Sequence, residues 1–178
     1  MKKIILTVII AAVAISCMSG CFNAGGNSVP GVKTTEAPDV ANVSAADYTN
    51  DLKGLEEYLV ALGYIPTDCK PTKMMYNVIG AKDGDRFAFT VDNSAVSLEL
   101  YEYDTENLNE DAKRVIAEVK KDGEYSVFGD VSNQDDTKFE ASLSNNGKFL
   151  VAYTISSEAE SVVQRKKDFI DAVKKFKK

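Results

Sequence analysis

The chain has 178 residues, with 21 Lys+Arg against 27 Asp+Glu, a formal net charge of −6, and neither His nor Trp. An acidic chain with no basic stripe argues against nucleic acid as a partner. The absence of histidine removes His-based triads, histidine general bases and the commonest zinc ligand.

At the N-terminus, Lys2 and Lys3 precede an apolar run from Ile4 to Ile15, and Met18-Ser19-Gly20-Cys21 follows. A charged start, a short apolar stretch and small residues at the end have the form of a secretory signal. The run falls short of the roughly 20 apolar residues that a bilayer-spanning helix needs. Ser-Gly directly before Cys21 resembles the lipobox of bacterial lipoproteins. That resemblance implies cleavage after residue 20 and acylation of Cys21 (palmitate among the acyl groups). It also implies a protein held outside the cytoplasm on the cell membrane, or on an outer membrane where one exists. The lipid bilayer is then its first partner. Ala14-Ile15-Ser16-Cys17 reads as an earlier alternative, with Cys17 lipidated. Cleavage before Cys21 removes Lys2 and Lys3 and leaves 19 basic against 27 acidic side chains, net −8, on 158 residues. Only Cys69 then remains as a second thiol, so no intramolecular disulfide forms. With no His or further Cys to partner it, Cys69 reads as a bystander.

Residues 21–43 are rich in Gly, Asn, Pro, Thr and Ala without periodicity, the composition of a flexible tether. A single α+β domain is expected over 44–178. Ser44-Ala45-Ala46-Asp47 resembles a capping box. Tyr48, Leu52, Leu55, Leu59 and Leu62 then keep helical spacing up to Gly63 and Pro66. Met74 to Ala81 reads as a strand, Lys82-Asp83-Gly84-Asp85 as a hairpin turn, and Arg86 to Val91 and Ala95 to Tyr103 as two alternating strands about Asp92-Asn93-Ser94. A helix from about Leu108 to Lys121 carries Leu108, Ala112, Val115, Ile116 and Val119, and ends at Asp122-Gly123.

The pattern then returns. Tyr125 to Gly129 echoes Tyr76 to Gly80, and Phe139, Ala141 and Leu143 echo Phe87, Phe89 and Val91. Phe149, Val151 and Tyr153, after the Asn145-Asn146-Gly147 turn, echo Val96, Leu98 and Leu100. A last helix opens on a capping box at Ser157 to Glu160, with Val162, Val163, Phe169, Ile170, Val173 and Phe176 on one face. The order is α-βββ-α-βββ-α, read as an internal duplication with halves at about 74–121 and 125–178. The fold expected is an α+β antiparallel sheet of about six strands with helices packed on one face. This architecture is similar to that of the β-lactamase inhibitor protein family, which grips its target with a concave sheet face. Leu100 to Asp104 (LYEYD) and Asn146 to Phe149 (NGKF) also resemble stretches of small, uncharacterised cell-envelope lipoproteins, a resemblance that implies no activity.

Few residues are placed to carry chemistry. Glu99 with Glu102, or Asp104 with Glu106, are the carboxylate pairs for acid/base work on a sugar. Consecutive strand positions point to opposite faces, which weakens the first pair. Asp83-Gly84-Asp85 and Asn133-Gln134-Asp135-Asp136 are oxygen-rich, yet turn chemistry explains both, and no metal and no cofactor is expected. Seven cations lie between Arg165 and Lys178. They complement a helix C-terminus better than they describe a membrane-binding helix. The remaining hint is the second sheet face. If one face meets the helices, Glu99, Tyr101, Tyr103, Phe128 and Leu150 lie on the other, where an exposed aromatic and apolar surface would bind a partner. A non-enzymatic protein- or peptide-binding lipoprotein is therefore expected. A solute- or lipid-binding lipoprotein, or a carboxylate-dependent cell-wall glycan hydrolase, is the alternative.

Overall fold

The computed structural model describes residues 42–127 and 137–177. The signal sequence with Cys17 and Cys21, nearly all of the tether, Phe128 and Lys178 lie outside the described residues.

Ser44 caps a 3-10 turn, Ala45–Asp47, by accepting from the Ala46 N–H at 3.3 Å. The helix expected from that cap starts later, as α1 (Leu52–Ala61). Its cap is Asp51, which accepts from the Gly54 N–H at 2.8 Å and takes the Thr49 hydroxyl at 2.7 Å. The Gly54 bond, the larger influence, and Thr49 hold the Asp51 carboxyl below its usual range. Tyr48 stays outside the helix and meets the Tyr58 ring edge-on at 5.6 Å. Gly63, at φ 74°, ends the element as expected.

The stretch from Met74 to Ala81 is not a strand. A two-residue strand β1 (Thr72–Lys73) gives way to a 3-10 turn, Tyr76–Ile79, closed by Gly80 at φ 69°. Asp83-Gly84-Asp85, expected as a hairpin turn, opens strand β2 (Asp83–Val91). Gly84 is there because Tyr101 lies opposite it in the ladder. A Cβ on Gly84 would sit 2.7 Å from the Tyr101 ring and 2.9 Å from Tyr76 Cβ. The hairpin to β3 (Ser94–Glu102) turns on Asp92 and Asn93, both at positive φ as a type I′ turn requires.

Helix α2 (Glu110–Asp122) is capped by Asn109 and stopped by Gly123 at φ 73°, and buries the expected Ala112, Val115, Ile116 and Val119. Strands β4 (Glu124–Ser126), β5 (Lys138–Glu140), β6 (Ser142–Leu143) and β7 (Phe149–Ile155) follow, then α3 (Glu160–Lys175). Helix α3 has Ala159 at its N-cap with no side-chain bond, so the capping box anchored on Ser157 does not form. Ser157 instead accepts from the Ala159 N–H at 3.1 Å, two residues ahead of the cap position.

The α+β fold is as the sequence predicts, with antiparallel strands in the order β1-β2-β3-β7-β6 and a separate β4-β5 pair. The six-stranded sheet splits because the chain breaks at Ala141, whose N–H turns to the Gly123 carbonyl at 2.8 Å. Glu140 then pairs with Glu124 instead of continuing along β7.

Helices cover both faces, not one. On the first face α1 and α3 bring Leu55, Leu59, Phe169 and Phe176 onto Leu98, Leu100 and Phe149. On the second, α2 lays Ala112, Val115 and Val119 over Tyr101, Tyr103 and Leu150. Each fully buried large side chain contributes roughly 1.5–3 kcal/mol through the water it leaves, and Phe169 adds ring contacts to Tyr153 at 4.9 Å and Tyr64 at 5.6 Å.

The two halves are not spatial copies. The echo holds between β3 and β7, whose Val96, Leu98, Leu100 and Phe149, Val151, Tyr153 share the first face. It fails one strand out, where Phe87 is buried in the first core, Phe139 is exposed and Ala141 joins the second. A rotation exchanging antiparallel β3 and β7 keeps each face on its own side. The helices that follow these strands nevertheless lie on opposite faces.

Candidate functional site

The surface expected from strand alternation is a core. Tyr101 is 5% exposed, and Tyr103 and Leu150 are fully buried beneath α2. Glu99, at the border, keeps a side chain 21% exposed and accepts from the Tyr101 hydroxyl at 3.0 Å. Burial pushes the Tyr101 phenol far above its usual range. It also pushes Tyr125 up to about 12, with the charge of Glu99 adding to both. These tyrosines are structural and stay neutral. The apolar stripe of α2 is the signal that could have warned of this, because α1 and α3 suffice to fill the first face and α2 needs a sheet surface of its own. The part of the second face that α2 leaves open is small and polar: Arg86, Ala88, Thr90, Ser97 and Thr154.

The carboxylate pairs do not converge. Glu99 and Glu102 lie on opposite faces of β3, and Glu102 is buried in bonds to Lys82 (3.2 Å), Lys148 (3.3 Å) and the Leu52 N–H (2.8 Å). Asp104 is engaged in its own turn, accepting from the Glu106 N–H and the Asn107 amide. Asp83 and Asp85 both accept from Lys73. Three of the C-terminal cations hold the domain together. Arg165 donates to the Gly63 and Tyr64 carbonyls, Lys166 pairs with Glu140 at 2.8 Å, and Lys177 donates to Ala46 O at 3.0 Å. Cys69 is half-buried, its thiol pushed up by burial and directed at Ala88 O.

The site that the sequence reading missed lies along β7. Ser156 N–H bonds to Ala95 O, and Tyr103 N–H to Lys148 O, so Leu150, Ala152 and Thr154 aim their backbone groups at β3. Alternate residues aim the other way. Phe149 and Val151 meet β6, with Ser144 N–H on Phe149 O at 2.8 Å. Tyr153 and Ile155 face the same side, but β6 has ended and β5, though it lies beside β7, makes its ladder with β4. Among the described residues, the ladder on that edge stops at Val151. An open cleft of about 560 Å³ lies there, walled by Phe139 and Lys138 of β5, by Ser157 and Glu158, and by the Lys166–Glu140 pair. Phe139, 39% exposed and stacked on Tyr125 at 5.7 Å, offers its ring to the cleft. Such an edge accepts an extended backbone, and the side-chain walls choose among sequences.

No family model, no curated protein and no solved structure matches the chain. Among the described residues no helix is long and apolar enough to cross a membrane.

Proposed function

We propose that this chain is an extracytoplasmic lipoprotein, anchored through acylated Cys21, whose α+β domain binds an extended peptide along the outer edge of β7. The role is binding, not catalysis. One observation carries the binding reading: the ladder left unfilled, among the described residues, at Tyr153 and Ile155, opening into a cleft beside the exposed Phe139. The anchor reading rests on the N-terminal pattern, with the lipobox immediately before Cys21. A tethered module with a strand-accepting edge suits a polypeptide partner presented at the envelope.

Two assays test the two halves of this reading. Radiolabelled palmitate is expected to enter the wild-type chain and Cys17→Ser but not Cys21→Ser; the reverse pattern moves the anchor to Cys17. For binding, the domain is screened against an array of extended seven-residue peptides. Ile155→Pro removes one N–H that faces the cleft and leaves the β3 ladder intact, and Phe139→Ser strips the wall without removing a buried side chain. Both are expected to weaken the best peptide about tenfold, roughly 1.4 kcal/mol. Unchanged affinity in both variants, with folding intact by circular dichroism, rules out the β7 edge.

A further inference from the structure

Asp85 is buried on β2 beneath α1, only 5% exposed. Its Oδ2 accepts from Lys73 Nζ at 2.9 Å, and the same amine reaches Asp83 Oδ1 at 2.7 Å. The other oxygen, Oδ1, is buried with no donor beside it, and so is Oε1 of Glu56 on α1. The two carboxyl groups are hydrogen-bond neighbours. Ionised carboxylates carry lone pairs only, so two of them side by side repel and leave both oxygens unsatisfied. One proton removes the difficulty, because a carboxylic acid O–H donates to the carboxylate next to it. Among the described residues no three His, Cys, Asp or Glu side chains are grouped to hold a metal ion, so the bridging species that fits is a proton.

We propose that Glu56 and Asp85 hold one shared proton and form a clasp between α1 and β2 that is closed while the proton is held and loosened when it leaves. The charged groups facing Glu56 are Asp83 and Asp85 from β2 and Lys73 from β1. Burial is the largest influence, the two aspartates add to it, and Lys73 opposes it; together they raise the Glu56 carboxyl from 4.5 to about 8. A carboxyl whose affinity for protons rises on folding takes one up as the chain folds. Its contribution to stability is whole below about 4.5, declines as pH rises, and is gone above about 8. Near neutral pH the clasp is closed in most molecules, and mild alkalinity opens it.

The test follows melting temperature from pH 5 to pH 9 for the full chain, for Glu56→Gln, and for Glu57→Gln as an exposed neighbour. The amide that Glu56→Gln introduces can donate a proton to Asp85 at every pH. Wild type and Glu57→Gln are expected to lose about 5 °C more over this range than Glu56→Gln, and the protection of the α1 amides, relative to the intrinsic exchange rate at each pH, is expected to fall above pH 8 in those two but not in Glu56→Gln. Parallel melting curves for wild type and Glu56→Gln overturn the proposal. Carbon-13 NMR of the wild-type Glu56 carboxyl decides the matter even if the variant fails to fold. A midpoint well above 4.5 supports the clasp, and one near 4.5 refutes it.

Discussion

Replacing Glu102 by Ala is expected to destabilise the domain by about 4 kcal/mol, because it strips three donors at once. The carboxylate side chain is 4% exposed and bonds to Lys82, to Lys148 and to the Leu52 N–H. Leu52 is the first residue of α1, so Glu102 supplies from β3 an acceptor that the start of a helix needs, while Asp51 serves Gly54. In Glu102→Ala the Leu52 N–H is left buried without a partner, and two lysines lose the charge that holds them. Lys82→Ala is expected to cost about 1 kcal/mol or less, since Lys82 is 60% exposed, and Lys148→Ala somewhat more, since Lys148 is 21% exposed and also donates to the Asn50 carbonyl. Urea titration of the three variants checks the ordering. A Glu102→Ala loss no larger than that of the lysine variants would show that water replaces the carboxylate.

Gly80→Ala comes next, at about 3 kcal/mol. Gly80 lies at φ 69°, a conformation that costs an L residue roughly 1–2 kcal/mol. The added Cβ would stand 2.2 Å from Asn109 Oδ1 and 2.4 Å from the Ala112 nitrogen. Those two atoms form the capping bond of α2, 2.8 Å long, so the methyl group displaces the cap as well; a lost cap costs about 1 kcal/mol. Two comparisons separate the parts. Asn109→Ala removes the cap alone. Gly123→Ala shares the left-handed backbone, at φ 73°, yet its Cβ would meet nothing within 4 Å. Thermal melts are expected to rank Gly80→Ala well below both. Equal losses at Gly80 and Gly123 would mean that the start of α2 yields without cost.

Local chemistry was readable in the sequence wherever one residue type decides one geometry. Asp92-Asn93 announces a tight hairpin because both residues tolerate positive φ, and the α2 stripe with Gly123 behind it leaves little choice of helix. The misreadings share another cause. Met74 to Ala81 has the apolar content of a strand, but Gly80 must pack against the α2 cap, and that distant contact winds the segment into a 3-10 turn. Alternation along β3 sorted Leu98 and Leu100 from Tyr101 and Tyr103 correctly. It could not say that both faces are covered, because coverage depends on where α2 lands. The β7 edge was beyond reach for the same reason: nothing local marks Ala141 as the point where the strand leaves the sheet. Glu56 and Asp85 lie 29 positions apart, and only the docking of α1 joins them.

The register at the middle of the sheet bears on how the chain folds. Residues of β3 pair with partners far along the sequence, Val96 with Ile155 and Glu102 with Phe149, whereas β2 and β3 meet across two residues. The β2–β3 hairpin can therefore form on the microsecond scale, while the central seam waits for a long loop to close and for α2 to be in place. Until β7 arrives, Leu98 and Leu100 stand on an edge strand with half their core missing, the state most open to mispairing. Closure of the β3–β7 seam is expected to limit the folding rate. Val151→Ala would then slow refolding more than Phe87→Ala does at equal loss of stability, and the opposite ranking would place the hairpin at the barrier. Synthesised N-terminus first, the chain presents the hairpin early and stays incomplete until roughly its last 30 residues have followed.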